Sequence, residues 1–203
     1  MAKALNEFRH WVFDLDGTLT QPVHDFEHIR NELGIPQSED ILAHLNALPE
    51  ALRLEKSERL DQLEHFYALQ AKPADGIYGL LDYLASQACT LGILTRNTRE
   101  FALLSLDALG VSQYFCEAEV IGRDEATPKP DPQGIQHLAK KWKVPPASLL
   151  MIGDYRYDLL AGRAAHCTTV HVYQSDEHHW PELTDHRFSS LKHLHNTLLE
   201  TVI

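Results

Sequence analysis

Short apolar runs alternate along this chain with segments whose apolar residues recur every three or four positions. Trp11-Val12-Phe13, Leu91-Gly92-Ile93-Leu94, Ala118-Glu119-Val120-Ile121, Leu149-Leu150-Met151-Ile152 and Thr168-Thr169-Val170-His171-Val172 read as strands. Several are apolar at successive positions, as strands buried on both faces are. Between them, Ile77, Leu80, Leu81 and Leu84 fall at i, i+3, i+4 and i+7, and Phe101, Leu104 and Ala108 repeat the stripe. Asn97 with Glu100 is expected to cap the second of these helices, and Gly110 to stop it. Asp131 reads as an N-cap with Pro132 at the first helical position, ahead of Ile135, Leu138 and Trp142. This alternation predicts an α/β fold, a parallel sheet covered by helices on both faces.

The stretch from Gln21 to Ala74 breaks the alternation. Phe26-Ile29-Leu33, Ile41-Leu45-Leu48 and Leu60-Leu63-Tyr67 all sit at helical spacing, punctuated by Gly34-Ile35-Pro36 and Pro49. Two or three short helices inserted after the first strand are expected. Nothing strand-like interrupts them, which favours a separate small lid over extra core helices. The division expected is 1–20 and 75–203 for an α/β catalytic core and 21–74 for a helical cap.

Composition narrows the picture. The chain has 203 residues, 44% hydrophobic and 23% charged, which suits an ordinary packed core. A formal net charge of -11 repels nucleic acid, so none is expected as a partner. It also repels phosphate esters, so a phosphate site would have to be made locally positive. Cys89, Cys116 and Cys167 are odd in number and far apart, which fits a reducing compartment rather than a disulfide framework. The N-terminus lacks the pattern of a signal peptide, and no apolar run approaches the ~20 residues of a spanning helix. A cytoplasmic protein without a membrane partner is the expectation.

Candidate chemistry gathers at strand ends. The first strand runs into Asp14-Leu15-Asp16-Gly17-Thr18, whose two carboxylates can converge on one ligand if Gly17 lets the chain turn. Leu94 runs into Thr95-Arg96-Asn97, and Ile152 into Gly153-Asp154, with Asp158 four residues later. Val120-Ile121 leads to Pro128-Lys129-Pro130. In open α/β sheets the carboxyl ends of the strands form the ligand crevice. Carboxylates there could attack phosphorus or hold Mg²⁺, while Thr95 and a lysine could donate to phosphate oxygens. Taken singly, each has a plainer reading: a calcium loop or turn, a helix cap, a solvated loop lysine. Their joint occurrence, in this order, is what points to phosphoryl chemistry.

The strings Phe13-Asp14-Leu15-Asp16-Gly17-Thr18-Leu19, Leu94-Thr95-Arg96-Asn97, Thr127-Pro128-Lys129-Pro130-Asp131-Pro132 and Ile152-Gly153-Asp154 with Asp158 resemble the motifs of the haloacid dehalogenase superfamily. The likeness is to its phosphoglycolate phosphatase-like branch, with a helical cap after the first strand. The resemblance implies a Rossmann-like sheet of order 5-4-1-2-3 and a Mg²⁺-dependent phosphatase working through an aspartyl-phosphate. It implies Asp14 as nucleophile and metal ligand. Asp16 would be acid and base, its carbonyl touching the metal. Thr95, Arg96 and Lys129 would hold the phosphoryl group, Asp154 would bind the metal, and Asp158 would support the site from behind the ligands. Lys129 is expected to lower the pKa of Asp14, and carboxylate crowding to raise that of Asp16.

Many phosphoglycolate-type members carry an acidic residue and a serine soon after the first motif. Here Thr20-Gln21-Pro22 stands instead, and the cap looks short. The expected partner is therefore a small phosphorylated substrate of unassigned identity, acted on by a monomer or homodimer. A carbon-attacking dehalogenase is disfavoured by Asp16. A phosphomutase and a non-catalytic binding module are the remaining alternatives. His24 and Asp25 are candidate substrate contacts, against the plainer reading of His24 and His28 as the wet face of a lid helix. The histidines from His178 onward are irregularly spaced and read as a solvated C-terminal segment rather than a zinc site.

Overall fold

The computed structural model describes residues 4–22, 25–175 and 178–200. Six strands form one sheet: β1 (His10–Phe13), β2 (Thr90–Leu94), β3 (Val120–Ile121), β4 (Leu149–Gly153), β5 (Thr168–Val172) and β6 (His186–Phe188). All pair in parallel, in the order β3-β2-β1-β4-β5-β6. The five expected strands keep the expected order. β6 is an addition beside β5, in a segment read from sequence as solvated. Only Val120–Ile121 of the expected third strand is extended; Glu117–Glu119 turns as a 3-10 helix.

Alternate strand residues face opposite layers, because successive side chains in a strand point to opposite faces. Trp11, Phe13, Leu91, Ile93, Leu150 and Ile152 pack on one side with α4 (Ile77–Ser86), α5 (Arg99–Leu109) and α8 (Leu191–Glu200). Val12, Leu94, Leu149 and Met151 pack on the other with α6 (Gln133–Trp142) and α7 (Arg156–Ala164). The C-terminal segment is thus not merely solvated: Phe188, Leu191, Leu194 and Leu198 belong to the first of these cores.

Helix details differ from expectation by one position. Thr98, not Asn97, caps α5, its hydroxyl accepting from Phe101 N at 3.3 Å; Asn97 Oδ1 accepts from Thr98 N. The buried stripe of α5 is Phe101, Ala102, Ser105, Leu106 and Leu109, while Leu104 is half-buried and Ala108 exposed. Gly110 does end the helix, left-handed at φ 68°. α6 starts at Gln133 with Pro132 as its cap residue, and Asp131 accepts from Gln133 N at 2.9 Å. Asn97 and Thr98 are both capping residues, so spacing alone does not choose between them.

Between β1 and α4 lie α1 (Phe26–Leu33), α2 (Ile41–Asn46) and α3 (Glu50–Ala68). They bury their own cluster: Ile29, Leu33, Ile35, Ile41, Leu45, Leu60, Leu63 and Tyr67. The two chain crossings that join these helices to the sheet run side by side. Gln21 N donates to Lys72 O at 2.8 Å, Ala74 N donates to Leu19 O at 3.0 Å, and Thr20 bridges Pro73 antiparallel.

Candidate active site

β1, β2 and β4 end at one edge of the sheet, and each delivers a polar residue there. Asp14 directly follows β1, anchored by its N–H on Ile152 O at 2.8 Å. Thr95 follows β2, and Asp154 follows β4. Gly17 adopts φ 92°, and a Cβ there would lie 2.5 Å from Asp154 Oδ2. Glycine is therefore needed twice over, for the turn and for the close approach of the Asp154 loop. Gly153 leaves room for Asp158 in the same way.

Lys129 is the hub. It is almost fully buried, and its Nζ donates to Asp14 Oδ1 at 2.5 Å and to Asp158 Oδ1 at 2.6 Å. Burial works against its charge, but the two carboxylates outweigh that and push its pKa up to about 12. Asp158 Oδ2 accepts from Tyr155 N at 3.0 Å, so both oxygens of Asp158 are engaged. Asp158 thus fixes the ammonium and caps the start of α7 together. The Thr18 hydroxyl stands between carboxylates, 3.2 Å from Asp14 Oδ2 and 3.0 Å from Asp154 Oδ1. His171, on β5, is fully buried, and its Nε2 donates to Asp154 O at 3.0 Å. A carbonyl can only accept, so Nε2 carries the proton. Burial, first of all, lowers the pKa of His171, which favours the neutral ring.

Desolvation raises the carboxyl pKa of Asp14, and Lys129 opposes it without winning. Lys129 pulls the Asp14 pKa down, as expected, but burial outweighs it and the net shift is upward. Asp154 is raised well above the ordinary carboxylate range, by burial and then by Asp14 and Asp158 nearby. Asp158 is pushed up to about 6, again chiefly by burial. The single Lys129 ammonium is the countercharge paired with Asp14 and Asp158, and three carboxylates outnumber it. Asp14, Asp154 and Asp158 each offer an oxygen, all within 4.8 Å of one another. Hard oxygen donors at that spacing fit a divalent cation such as Mg²⁺.

Thr95 is buried; its hydroxyl accepts from Asn97 N at 3.0 Å, which leaves its own proton to donate. The Arg96 side chain turns elsewhere. It donates from one nitrogen to both oxygens of Asp40, at 2.8 and 2.6 Å, and from the other to Lys129 O, and it lies 4.6 Å from the Tyr157 ring centroid. Asp40 is also the cap of α2, so one carboxylate ties that helix to the sheet edge. Arg123 makes a second tie, to Asp61 and Glu64 of α3, each at 2.7 Å. Burial outweighs Arg123 and raises Glu64 to about 7.

Together these elements enclose a cavity of about 550 Å³. Asp14, Asp16, Thr95, Lys129, Asp154 and Asp158 line its floor, and residues of α1 to α3 line its roof. His24 lies outside the described residues. Asp25 caps α1, accepting from His28 N at 2.8 Å, and is not among the cavity residues. His28 is exposed. Asp40, Glu64, Arg123 and His171 were not singled out from sequence. Only His171, a polar residue at the end of an apolar strand, carried a local signal.

The cysteines are free thiols, and the carboxylate trio is the one candidate metal cluster among the described residues. No helix among them is long and apolar enough to cross a membrane.

A family model described as haloacid dehalogenase-like hydrolase matches residues 11–172. A phosphoglycolate phosphatase of Photobacterium profundum is 31% identical over 187 residues, covering 78% of this chain and 80% of that one. An uncharacterized hydrolase of Saccharomyces cerevisiae is 29% identical over 171 residues, covering 83% and 78%. The crystal structure of a hydrolase from Pseudomonas syringae superposes with a TM-score of 0.78 at 25% identity, covering 95% and 98%.

Proposed function

This chain belongs to the haloacid dehalogenase-like hydrolases, and on that premise we propose that it is a Mg²⁺-dependent phosphatase of small phosphorylated metabolites. The observation that carries the reading is the Lys129 ammonium joining Asp14 to Asp158 beside Asp154 and Thr95, at the floor of the cavity. The phosphatase among its relatives supports the substrate class.

Asp14 is the nucleophile. A carboxylate oxygen attacks phosphorus, the bond from phosphorus to the alcohol oxygen breaks, and Asp16 gives that oxygen its proton. Asp16 then takes a proton from water, whose oxygen attacks the same phosphorus and frees Asp14 and inorganic phosphate. Lys129 balances charge on Asp14 and on the phosphoryl oxygens, which Thr95 Oγ1 and the Arg96 N–H also hold. The Arg96 side chain, committed to Asp40, is not assigned to phosphate. Asp14, Asp154 and the carbonyl of Asp16 would hold Mg²⁺, which would screen the repulsion between carboxylate and phosphate dianion. Asp158 and His171 position Lys129 and the Asp154 loop.

Residues 21–74 form a cap in this reading, hinged on the paired crossings at Leu19–Gln21 and Lys72–Ala74. Its separate core and its two arginine ties suit a lid that selects the substrate while the sheet edge does the chemistry.

Phosphate release from an aryl phosphate, with and without chelator, tests the function. Activity lost on stripping the metal and regained with Mg²⁺ is expected. Full hydrolysis in metal-free buffer would contradict it.

A further inference from the structure

Resting on that phosphatase reading, we propose that the part of the substrate beyond the phosphate is an uncharged, planar aromatic or heteroaromatic group. The observation behind this is an aromatic wall in the cavity, beside the carboxylates at its floor. Phe26 of α1 is 53% exposed and Tyr155, at the start of α7, is 48% exposed, and both line the cavity. Aromatic rings that line a cavity offer flat apolar surface to a ligand. The Tyr155 ring is held stiffly. Tyr157 stands at 83° to it with centroids 5.4 Å apart, and Trp180 at 80° and 5.6 Å. Tyr173 and His178, 5.5 Å apart, extend the same wall. A pre-formed set of rings costs little ordering entropy when a flat group docks on it.

Charge disfavours the main competitor, a short ester bearing a second anion. Seven carboxyl side chains line the cavity: Asp14, Asp16, Glu39, Asp40, Glu64, Asp154 and Asp158. Its three cationic side chains are Arg30, Arg96 and Lys129. Arg96 is taken by Asp40, and Lys129 by Asp14 and Asp158. Arg30 donates to the backbone carbonyls of Phe26 and Glu39. A carboxylate on the substrate would meet mostly like charge. A neutral ring meets rings. Size agrees: about 550 Å³ far exceeds what a phosphoryl group needs and falls within the ~300–1,000 Å³ of sites for ring-sized ligands.

Substrates must be matched in leaving group, since aryl phosphates react readily on chemical grounds alone. Benzyl phosphate and a nucleoside 5′-monophosphate are esters of primary alcohols carrying rings; glycerol phosphate and phosphoglycolate are ringless counterparts. With Mg²⁺, at least one ring-bearing ester is expected to exceed both ringless ones in kcat/KM by about 10- to 100-fold, the range of aromatic stacking. The two ring-bearing esters distinguish a nucleoside from a simple aryl-methyl alcohol. Tyr155→Ala should bring the ratio of the two classes close to one, Tyr155→Phe should retain it, and Phe26→Ala should lower it from the opposite element. A wild-type preference for the ringless esters, or an equal loss on both classes in Tyr155→Ala and Phe26→Ala, would overturn the proposal. Calorimetry with benzylphosphonate against propylphosphonate separates the two readings. Tighter binding of the benzyl compound with no ester hydrolysed would sink the phosphatase reading and leave ring recognition standing; equal binding would sink ring recognition.

Discussion

At the scale of the residue, the site works by giving chemically alike groups unlike surroundings. Asp14 is buried against Lys129, whereas Asp16, two positions on, is half-buried at the mouth of the same turn. In the proposed mechanism the first is the attacking carboxylate, with Lys129 balancing its charge. The second is the proposed acid and base for the leaving oxygen and for water. Asp16→Asn keeps the nucleophile and the backbone carbonyl but removes proton transfer. Its kcat on an alkyl phosphate should fall by roughly 10²–10⁴-fold. The loss should be smaller for transfer from an ester whose leaving group needs no proton, measured as the first-turnover burst. These residues were legible in the sequence because each sits in a short string at a strand end, where local turn chemistry fixes position. The direction of the Asp14 pKa was not legible, because it depends on how deeply the fold buries the carboxyl.

Elements bring together what no local string can show. Arg96 meets Asp40, and Arg123 meets Asp61 and Glu64, across separations of about 56 to 62 residues. His65 of α3 also packs against Phe101 of α5, ring centroids 5.7 Å apart. Periodicity placed α1, α2 and α3 but could not say which face meets the sheet edge. β6 was missed for a related reason. His186-Arg187-Phe188 is only three residues long and buries just Phe188, so as an edge strand it has neither an apolar run nor a clear alternation.

The Arg123–Glu64 pair gives an element-scale prediction with a sign. Glu64 has a folded pKa raised from 4.5 to about 7. Removing Arg123 takes away the main opposing influence and raises it further. Below pH 6, Glu64 is largely protonated with or without Arg123, so the substitution costs little through this pair. As pH rises through about 7, wild-type Glu64 ionises against Arg123, while in Arg123→Met it must stay neutral or ionise unpaired. The melting temperature of Arg123→Met should therefore lie closer to wild type at pH 6 than at pH 8.5. A gap of the same size at both pH values would show that Glu64 is ionised throughout, as a 2.7 Å ion pair with Arg123 would have it.

For the whole molecule, the sheet order, the two flanking helix layers and the meeting of Asp14, Thr95, Lys129 and Asp154 at one edge all follow from strand and helix alternation with chemistry at strand ends. The arrangement gathers carboxylates faster than it supplies cations. Asp14, Asp154 and Asp158 all have raised pKa values. Their stabilising contribution is present below the unfolded carboxylate values and is lost as pH rises through the folded ones. A bound divalent cation should reverse that loss. At ~100-fold excess over its dissociation constant, Mg²⁺ should raise the melting temperature by roughly 5–10 °C at pH 8. The rise should be smaller at pH 5, where protons compete for the same oxygens. An equal rise at both pH values would place the cation elsewhere.

The central claim is that Asp14 carries the phosphoryl group, and covalent trapping tests it most directly. Enzyme mixed with Mg²⁺ and an aryl phosphate is quenched in acid within the first turnovers, digested, and read by peptide mass spectrometry. Asp16→Asn, in which activation of water is impaired, should accumulate the adduct to the highest level. The result expected is one phosphate on the peptide spanning Asp14, absent from Asp14→Asn, whose turnover falls to background. A phosphate on any other side chain, or turnover retained by Asp14→Asn, would contradict the account.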